Sequence, residues 1–213
     1  VDMQIGRNAK ALIASQSAEK VYRSSGADTE MEIKITVKPG SWLEFLPQET
    51  ILFQGSRLRR QIKVSIEGDG SLVAGEILVF GRRGHGEYFN NGLMHESWEI
   101  ERDGRLLWAD TLHMDKNIAS TINHPACFDG AVGMATLIYI GPNATDNLAV
   151  IQNLLADSNR DILSSVTCIN GVMIIRWIGK NALDLRNDFG SFWSAFRNKI
   201  ADLPAKLPRL WNM

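Results

Sequence analysis

Ile62-Lys63-Val64-Ser65-Ile66-Glu67-Gly68-Asp69-Gly70-Ser71-Leu72-Val73-Ala74-Gly75-Glu76-Ile77-Leu78-Val79-Phe80 sets the pattern of the chain. Ile62, Val64 and Ile66 alternate with polar residues, the period of a strand buried on one face. Gly70 turns the chain, Leu72-Val73 resumes it, and Leu78-Val79-Phe80 supplies a second apolar run. The same order occurs elsewhere. Met3 and Ile5 precede Ala9; Ile33, Ile35 and Val37 precede Gly40; Trp98 and Ile100 precede Gly104. The small turn residues Ala9, Gly40, Gly70 and Gly104 lie 31, 30 and 34 positions apart. Regular spacing of this kind predicts a mainly β chain of stacked two-strand units, a solenoid-like, quasi-linear array. An antiparallel sandwich with evenly spaced hairpins is the alternative arrangement.

The run ending at Phe80 passes into Gly81-Arg82-Arg83-Gly84-His85-Gly86-Glu87-Tyr88-Phe89. Glycine allows positive φ and close backbone approach, so this is a turn. Charges held between apolar runs are partly desolvated and pair with one another. A hairpin ion pair and a functional turn at the end of a sheet both fit these residues. Farther along, Pro47 marks an edge or a bend. Arg57, Arg59 and Arg60 read as a solvated strand edge. Ala131 to Ile140 reads as a buried strand, and Asn170-Gly171 as a hairpin turn. Helical periodicity is confined to the C-terminal half. It predicts two helices, Asp146 to Asp157, capped by Thr145 or Asp146, and about Asp188 to Asp202, stopped by Pro204. Residues Lys116 to Asp129 read as an irregular connection. The segment Leu207-Pro208-Arg209-Leu210-Trp211 is apolar enough to dock on its own sheet or on a partner.

The 213 residues are 45% hydrophobic and carry a net charge of -1, with a pI near 6.5. That composition suits one globular domain with a sizeable core. It provides no global field for nucleic acid or anionic lipid. The longest apolar run is too short to span a bilayer. Cys127 and Cys168 lie far apart without a CxxC pairing, which suits a reduced compartment.

Motifs of catalysis are missing from the sequence: no phosphate-binding GxxxxGK[ST], no GxSxG elbow, no HExxH. His85, His95, His113 and His124 are scattered singly, the habit of surface or core histidines more than of ligands. Glu76 and Glu87 are an acid/base pair only in principle, since no sugar-binding aromatic platform accompanies them. A carbohydrate-binding β module would show aromatics in a groove and leaves the apolar C-terminal segment unexplained.

Several motifs, in order, resemble one family. They are Ser17-Ala18-Glu19-Lys20-Val21-Tyr22-Arg23, Leu46-Pro47-Gln48-Glu49-Thr50-Ile51 with Phe53, then Glu76, Gly81-Arg82, Gly86-Glu87 and Leu207-Pro208-Arg209-Leu210-Trp211. Together they resemble the urease accessory protein UreD (UreH) family over nearly the whole chain. The resemblance implies a single UreD-like domain over residues 1–213, mainly β with strands stacked in a superhelical array and two helices, lacking the family's N-terminal segment. It implies a non-enzymatic, cytoplasmic maturation factor that joins UreF and the GTPase UreG on apo-urease and helps deliver nickel. No cofactor is held tightly, and Ni²⁺ passes transiently. Glu76, Arg82 and Glu87 then become a candidate transit cluster, because carboxylate oxygens hold Ni²⁺ less tightly than imidazole or thiolate; a structural ion pair is the plainer role. Leu207, Pro208, Arg209, Leu210 and Trp211 become candidates for partner contact. The competing class is a metal-dependent hydrolase built on Glu76, Glu87 and the histidines.

Overall fold

The computed structural model describes residues 1–156 and 161–212. Two sheets lie face to face. The first contains, in spatial order, β1 (Asp2–Ile5), β4 (Thr29–Val37), β7 (Arg57–Ile66), β9 (Leu93–Arg102) and β10 (Arg105–Met114). The second contains β2 (Lys10–Ala14), β5 (Trp42–Leu46), β8 (Ser71–Phe80), β11 (Gly133–Ile140), β13 (Val172–Gly179) and β12 (Ile162–Ile169), from one edge to the other. Strands β3 (Glu19–Val21) and β6 (Thr50–Leu52) continue it beside the far half of β8. The chain therefore crosses from one sheet to the other and back, and each new pass lies beside the last.

Register explains the sequence repeat. Ile35 pairs with Met3 and with Val64, and Val64 pairs with Ile100, all in parallel ladders. In the second sheet Leu43 pairs with Ala11 and Leu72 in the same way. Each apolar residue sits on its equivalent from the previous pass, so one inward face is rebuilt about every thirty residues.

The mainly β expectation holds, but the pairing is mixed, parallel in the early passes and antiparallel later, and does not make a uniform solenoid. The fourth unit departs from the pattern. Asp103 and Gly104 adopt φ of 50° and 76°, a tight turn that folds β10 back antiparallel on β9. Such a turn matches the twist of its flanking strands. From there the pairings β8–β11, β11–β13 and β12–β13 are also antiparallel. The Asn170-Gly171 hairpin is present, with φ of 50° and 77°. Arg57, Arg59 and Arg60 stand on β7, an interior strand between β4 and β9, not on an edge.

Among the described residues three α-helices accompany the sheets, one more than expected. α1 (Ile118–Asn123) falls in the presumed irregular connection. It buries only Ile118 and Ile122, too few residues to set up a legible period. α2 (Leu148–Ala156) starts later than Asp146, after a run of turns; Thr145 Oγ1 lies 3.5 Å from Cys168 Sγ. The expected end at Asp157 lies outside the described residues. α3 (Ala182–Ala201) starts six residues before the expected Asp188. Asn181 caps it: its Oδ1 accepts from the backbone N–H of Leu183 at 2.8 Å and of Asp184 at 3.2 Å. That bond satisfies donors the first turn would otherwise strand.

α3 lays Leu185, Phe189, Phe192, Trp193 and Phe196 against the outer face of the second sheet. β8 is consequently buried on both faces. Gly75 lets the helix approach. A Cβ there would stand 2.6 Å from Phe189 Cζ and 3.0 Å from a Trp193 ring atom. Gly75→Ala is expected to lower stability by about 1–3 kcal/mol through overpacking, checked by urea denaturation; a stability equal to the native chain would show that α3 shifts freely on this face.

Candidate functional site

Period-two alternation aims one residue per strand at the middle of the space between the sheets. Along β7 the inward residues are Leu58, Arg60 and Ile62; along β8, Ala74, Glu76 and Leu78; along β9, Met94, Glu96 and Trp98. The charged residue is in each case flanked by apolar ones. Ile62, Ala74 and Trp98 belong to one core cluster. Leu58, Leu78 and Met94 belong to another. A charged layer thus separates two apolar clusters.

Arg60 is its centre and is 6% exposed. Its Nη2 donates to Glu76 Oε2 at 2.7 Å and its Nη1 to Thr50 Oγ1 at 2.9 Å. Its Nε donates to Glu96, the residue beside it in the β7–β9 ladder. Glu76 belongs to the second sheet and Glu96 to the first, so one guanidinium ties the sheets together. Glu76 and Glu96 are themselves 6% and 2% exposed.

The layer continues across the second sheet. Glu76 is in register with Thr136 of β11, and Thr136 with Arg176 of β13. Arg176 is exposed and pairs with Asp110 of β10. A cleft of about 280 Å³ is lined by Glu76, Glu96, Thr136, Asp110, Arg176 and Cys127, among others. A row of polar side chains therefore leads from a dry ion triad to the protein surface.

Burial pushes the Glu76 carboxyl well above the usual carboxylate range, and the neighbouring Glu96 charge pushes it the same way; Arg60 only partly opposes them. Two carboxyls facing one guanidinium in a low-dielectric layer retain a proton readily. Burial also disfavours the Arg60 charge, but Glu96 and Glu76 outweigh it and keep the guanidinium charged.

The expected cluster of Glu76, Arg82 and Glu87 divides. Glu76 belongs to the Arg60 triad. Arg82 and Glu87 meet on the glycine turn, with Arg82 Nε donating to Glu87 Oε2 at 2.6 Å. Glu87 Oε1 also accepts the Gln54 backbone N–H at 2.8 Å. That N–H and then Arg82 hold the Glu87 carboxyl below its usual range. Arg82 also covers the Phe53 ring at 4.2 Å. This turn is a solvated staple between β6 and β8. Nor do the histidines gather round Glu76 and Glu87. His85 is in a short turn Arg83–His85, His95 and His113 pair on β9 and β10, and His124 follows α1. Among the described residues no three His, Cys, Asp or Glu side chains stand together as a metal cage. Arg60 and Glu96 are the site residues the sequence reading missed. Their signal was a charged residue in phase with apolar neighbours, Leu58-x-Arg60-x-Ile62 and Met94-x-Glu96-x-Trp98.

The C-terminal segment docks on its own domain. Trp211 is 5% exposed and stacks on Phe189 with ring centroids 5.9 Å apart. Gln48 Nε2 donates to the Leu210 carbonyl at 3.0 Å. Arg186 joins Glu49 Oε2 at 2.6 Å to the Trp211 carbonyl at 2.9 Å. Leu207, Pro208 and Leu210 are half-buried, and Arg209 is the exposed member.

Arg60→Ala is expected to cost about 3–5 kcal/mol, since it strands two buried carboxyls; Arg60→Met with Glu76→Leu and Glu96→Leu should cost far less. Glu76→Gln probes the proton. Because the folded pKa exceeds the unfolded one, Glu76 adds stability fully below the ordinary carboxylate value and loses it as pH rises toward the raised value. The native chain should therefore lose stability relative to Glu76→Gln across that window, measured by urea denaturation at stepped pH. Parallel curves would place the Glu76 proton in the ordinary range. Glu87 shifts the opposite way but is common to both proteins, so the difference isolates Glu76.

Comparison with known sequences identifies the family. The family model described as UreD urease accessory protein matches residues 1–212. A urease accessory protein UreD of Magnetococcus marinus is 40% identical over 205 residues, covering 95% of this chain and 71% of that protein. Its counterpart in Granulibacter bethesdensis is 37% identical over 211 residues, covering 98% and 86%. That of Xanthobacter autotrophicus is 33% identical over 211 residues, covering 99% and 70%. With the family model spanning both sheets, the buried Arg60 layer and the docked C-terminal segment, the chain belongs to the UreD urease accessory protein family.

Proposed function

We propose that this chain acts as a non-catalytic urease maturation factor that binds UreF and UreG on apo-urease in the cytoplasm. On this reading its row of polar residues between the sheets is the part that handles nickel. Family membership supports the role in urease maturation. The observation that carries the finer reading is the layer itself: two carboxylates inside a core, joined through Thr136 to a surface cleft. Among the described residues no helix is long and apolar enough to cross a membrane.

Chemistry favours passage over retention. Ni²⁺ prefers imidazole and thiolate, and carboxylate oxygens bind it more loosely. Arg60 occupies the centre of the row and repels a cation, while Glu76 and Glu96 attract it. A cation approaching Glu76 competes with a proton that burial already favours. Each factor shortens the residence of the metal. Arg60 positions the two carboxylates, and Thr136 extends the run of oxygen atoms toward Arg176 and Asp110. A hydrolase would need Glu76, Glu87 and histidines around one water, and the fold distributes them over the core, a surface turn and an outer sheet face.

Glu76→Gln keeps the Arg60–Glu96 pair and removes one ionisable oxygen. Co-expressed with UreF, UreG and apo-urease, the native chain is expected to raise urease activity, and Glu76→Gln to lower that gain about tenfold. Pull-down of UreF should be unchanged by the substitution. Full activation by Glu76→Gln would remove the row from nickel handling. Failure of the native chain to raise activity would reject the maturation role itself.

A further inference from the structure

We propose a second, separate cation site on the outer face of the first sheet: a two-histidine chelate formed by His95 and His113. It would take a divalent cation that prefers imidazole, such as Ni²⁺, Zn²⁺ or Cu²⁺. The proposal goes beyond the nickel row and does not depend on it, because these residues lie on the opposite face of β9 from Glu96.

Antiparallel register sets His95 directly across from His113. Alternation turns both away from the core, since Met94, Glu96 and Met114 on either side are buried. Their Nδ1 atoms stand 3.1 Å apart. Metal–imidazole bonds of about 2.0–2.1 Å at roughly 90° or 109° separate two ligand nitrogens by about 2.9 or 3.3 Å. The observed spacing lies between those two, so a modest turn about each terminal side-chain torsion, which is soft in histidine, points both lone pairs at one ion. Water fills the remaining positions, giving an open site that exchanges its ion.

A carboxylate stands near the pair. His113 Nε2 lies 3.6 Å from Asp115 Oδ1. That is longer than a direct hydrogen bond, yet close enough to favour the proton on Nε2 and leave His113 Nδ1 free as a ligand. Carboxylates behind metal-bound imidazoles act in this way. In the metal-free protein His95 Nδ1 then donates to His113 Nδ1. On metal binding that proton leaves Nδ1, and His95 takes one from solvent on Nε2, so the neutral ring count is unchanged. Arg59, beside His95 on β7, is the nearby cation, and Asp28 binds its guanidinium. His113 and Asp115 side chains are 44% and 45% exposed, so a hydrated ion reaches them without opening the fold.

Calorimetric titration of the tag-free chain with Ni²⁺ alone, in a non-chelating buffer, tests the site. The Glu76→Gln background lowers any contribution from the core row. Saturable binding is expected, weakened at least about tenfold by His95→Ala or His113→Ala, and about tenfold by Asp115→Asn. His124→Ala should leave it unchanged. In nitrogen-resolved NMR of the imidazoles, Ni²⁺ should broaden His95 and His113 before His85 and His124. The proposal is overturned if the Glu76→Gln chain binds no Ni²⁺, or if the same chain with His95→Ala and His113→Ala added, folded by circular dichroism, binds it as the Glu76→Gln chain does. Urease activation is not read in this experiment, so its outcome is independent of the maturation role.

Discussion

One guanidinium decides how the sheets meet. Arg60 sits where an apolar residue would ordinarily stand, and its charge must be matched inside the core or not carried there. Glu96 beside it and Glu76 across from it supply the match. Since the side-chain period of a strand is two, a slip of one residue in β7 would turn Arg60 outward and bring Arg59 or Gln61 into the core. Neither would face Glu76 and Glu96 with the same geometry. The triad therefore reinforces a register that the buried apolar faces of β7 and β9 already specify, and ties β8 to them. An apolar triad of equal volume would stabilise the sandwich at least as well.

Around that fixed point, parallel stacking does the rest. Each pass lays Ile, Val or Leu on its predecessor, and the inter-sheet layer grows as a column of equivalent contacts. Asp103-Gly104 ends the growth by turning β10 back, and β11 closes on β8 from the opposite direction. β8 then needs cover on its second face. Helix α3 supplies it, and the segment ending in Trp211 is held to α3 by Arg186 and to the β5–β6 bend by Gln48 and Glu49. The apolar C-terminal residues and the Leu46–Glu49 motif are thus two halves of one lock.

Much of this was legible in local sequence. Alternation located the strands, Asn170-Gly171 gave its hairpin, and Arg82 and Glu87 paired because only five positions separate them. The Arg60 triad was not legible as a unit. Its members come from three strands, and no local rule states which charges will face each other across two sheets. The inward phase of Arg60 and Glu96 was readable, but three arginines in four positions drew attention to charge and away from phase. α1 escaped because one turn and a half of helix has no period. The early start of α3 depended on a single cap, Asn181, which precedes an otherwise ambiguous Leu-Asp-Leu. Strand direction was likewise hidden, since alternation is the same whether neighbours run parallel or antiparallel.

The charge arithmetic of the triad bears on how a cation would travel along it. With Glu76 protonated, Arg60 and Glu96 cancel, and an arriving divalent ion brings two uncompensated charges into a low-dielectric layer. Loss of the Glu76 proton removes one of them and leaves one. A cation at this point would compete with that proton, and would still not be neutralised once the proton had left. Such an ion would be driven onward to water or to a better ligand set. The raised Glu76 pKa and the single positive charge left over after the proton departs both act in that direction. A resident metal site would reverse both features, with ionised carboxylates in excess and no guanidinium among them. The same residues that hold the sheets in register are thus poorly suited to retaining a cation, and a route that must release its cargo needs that property.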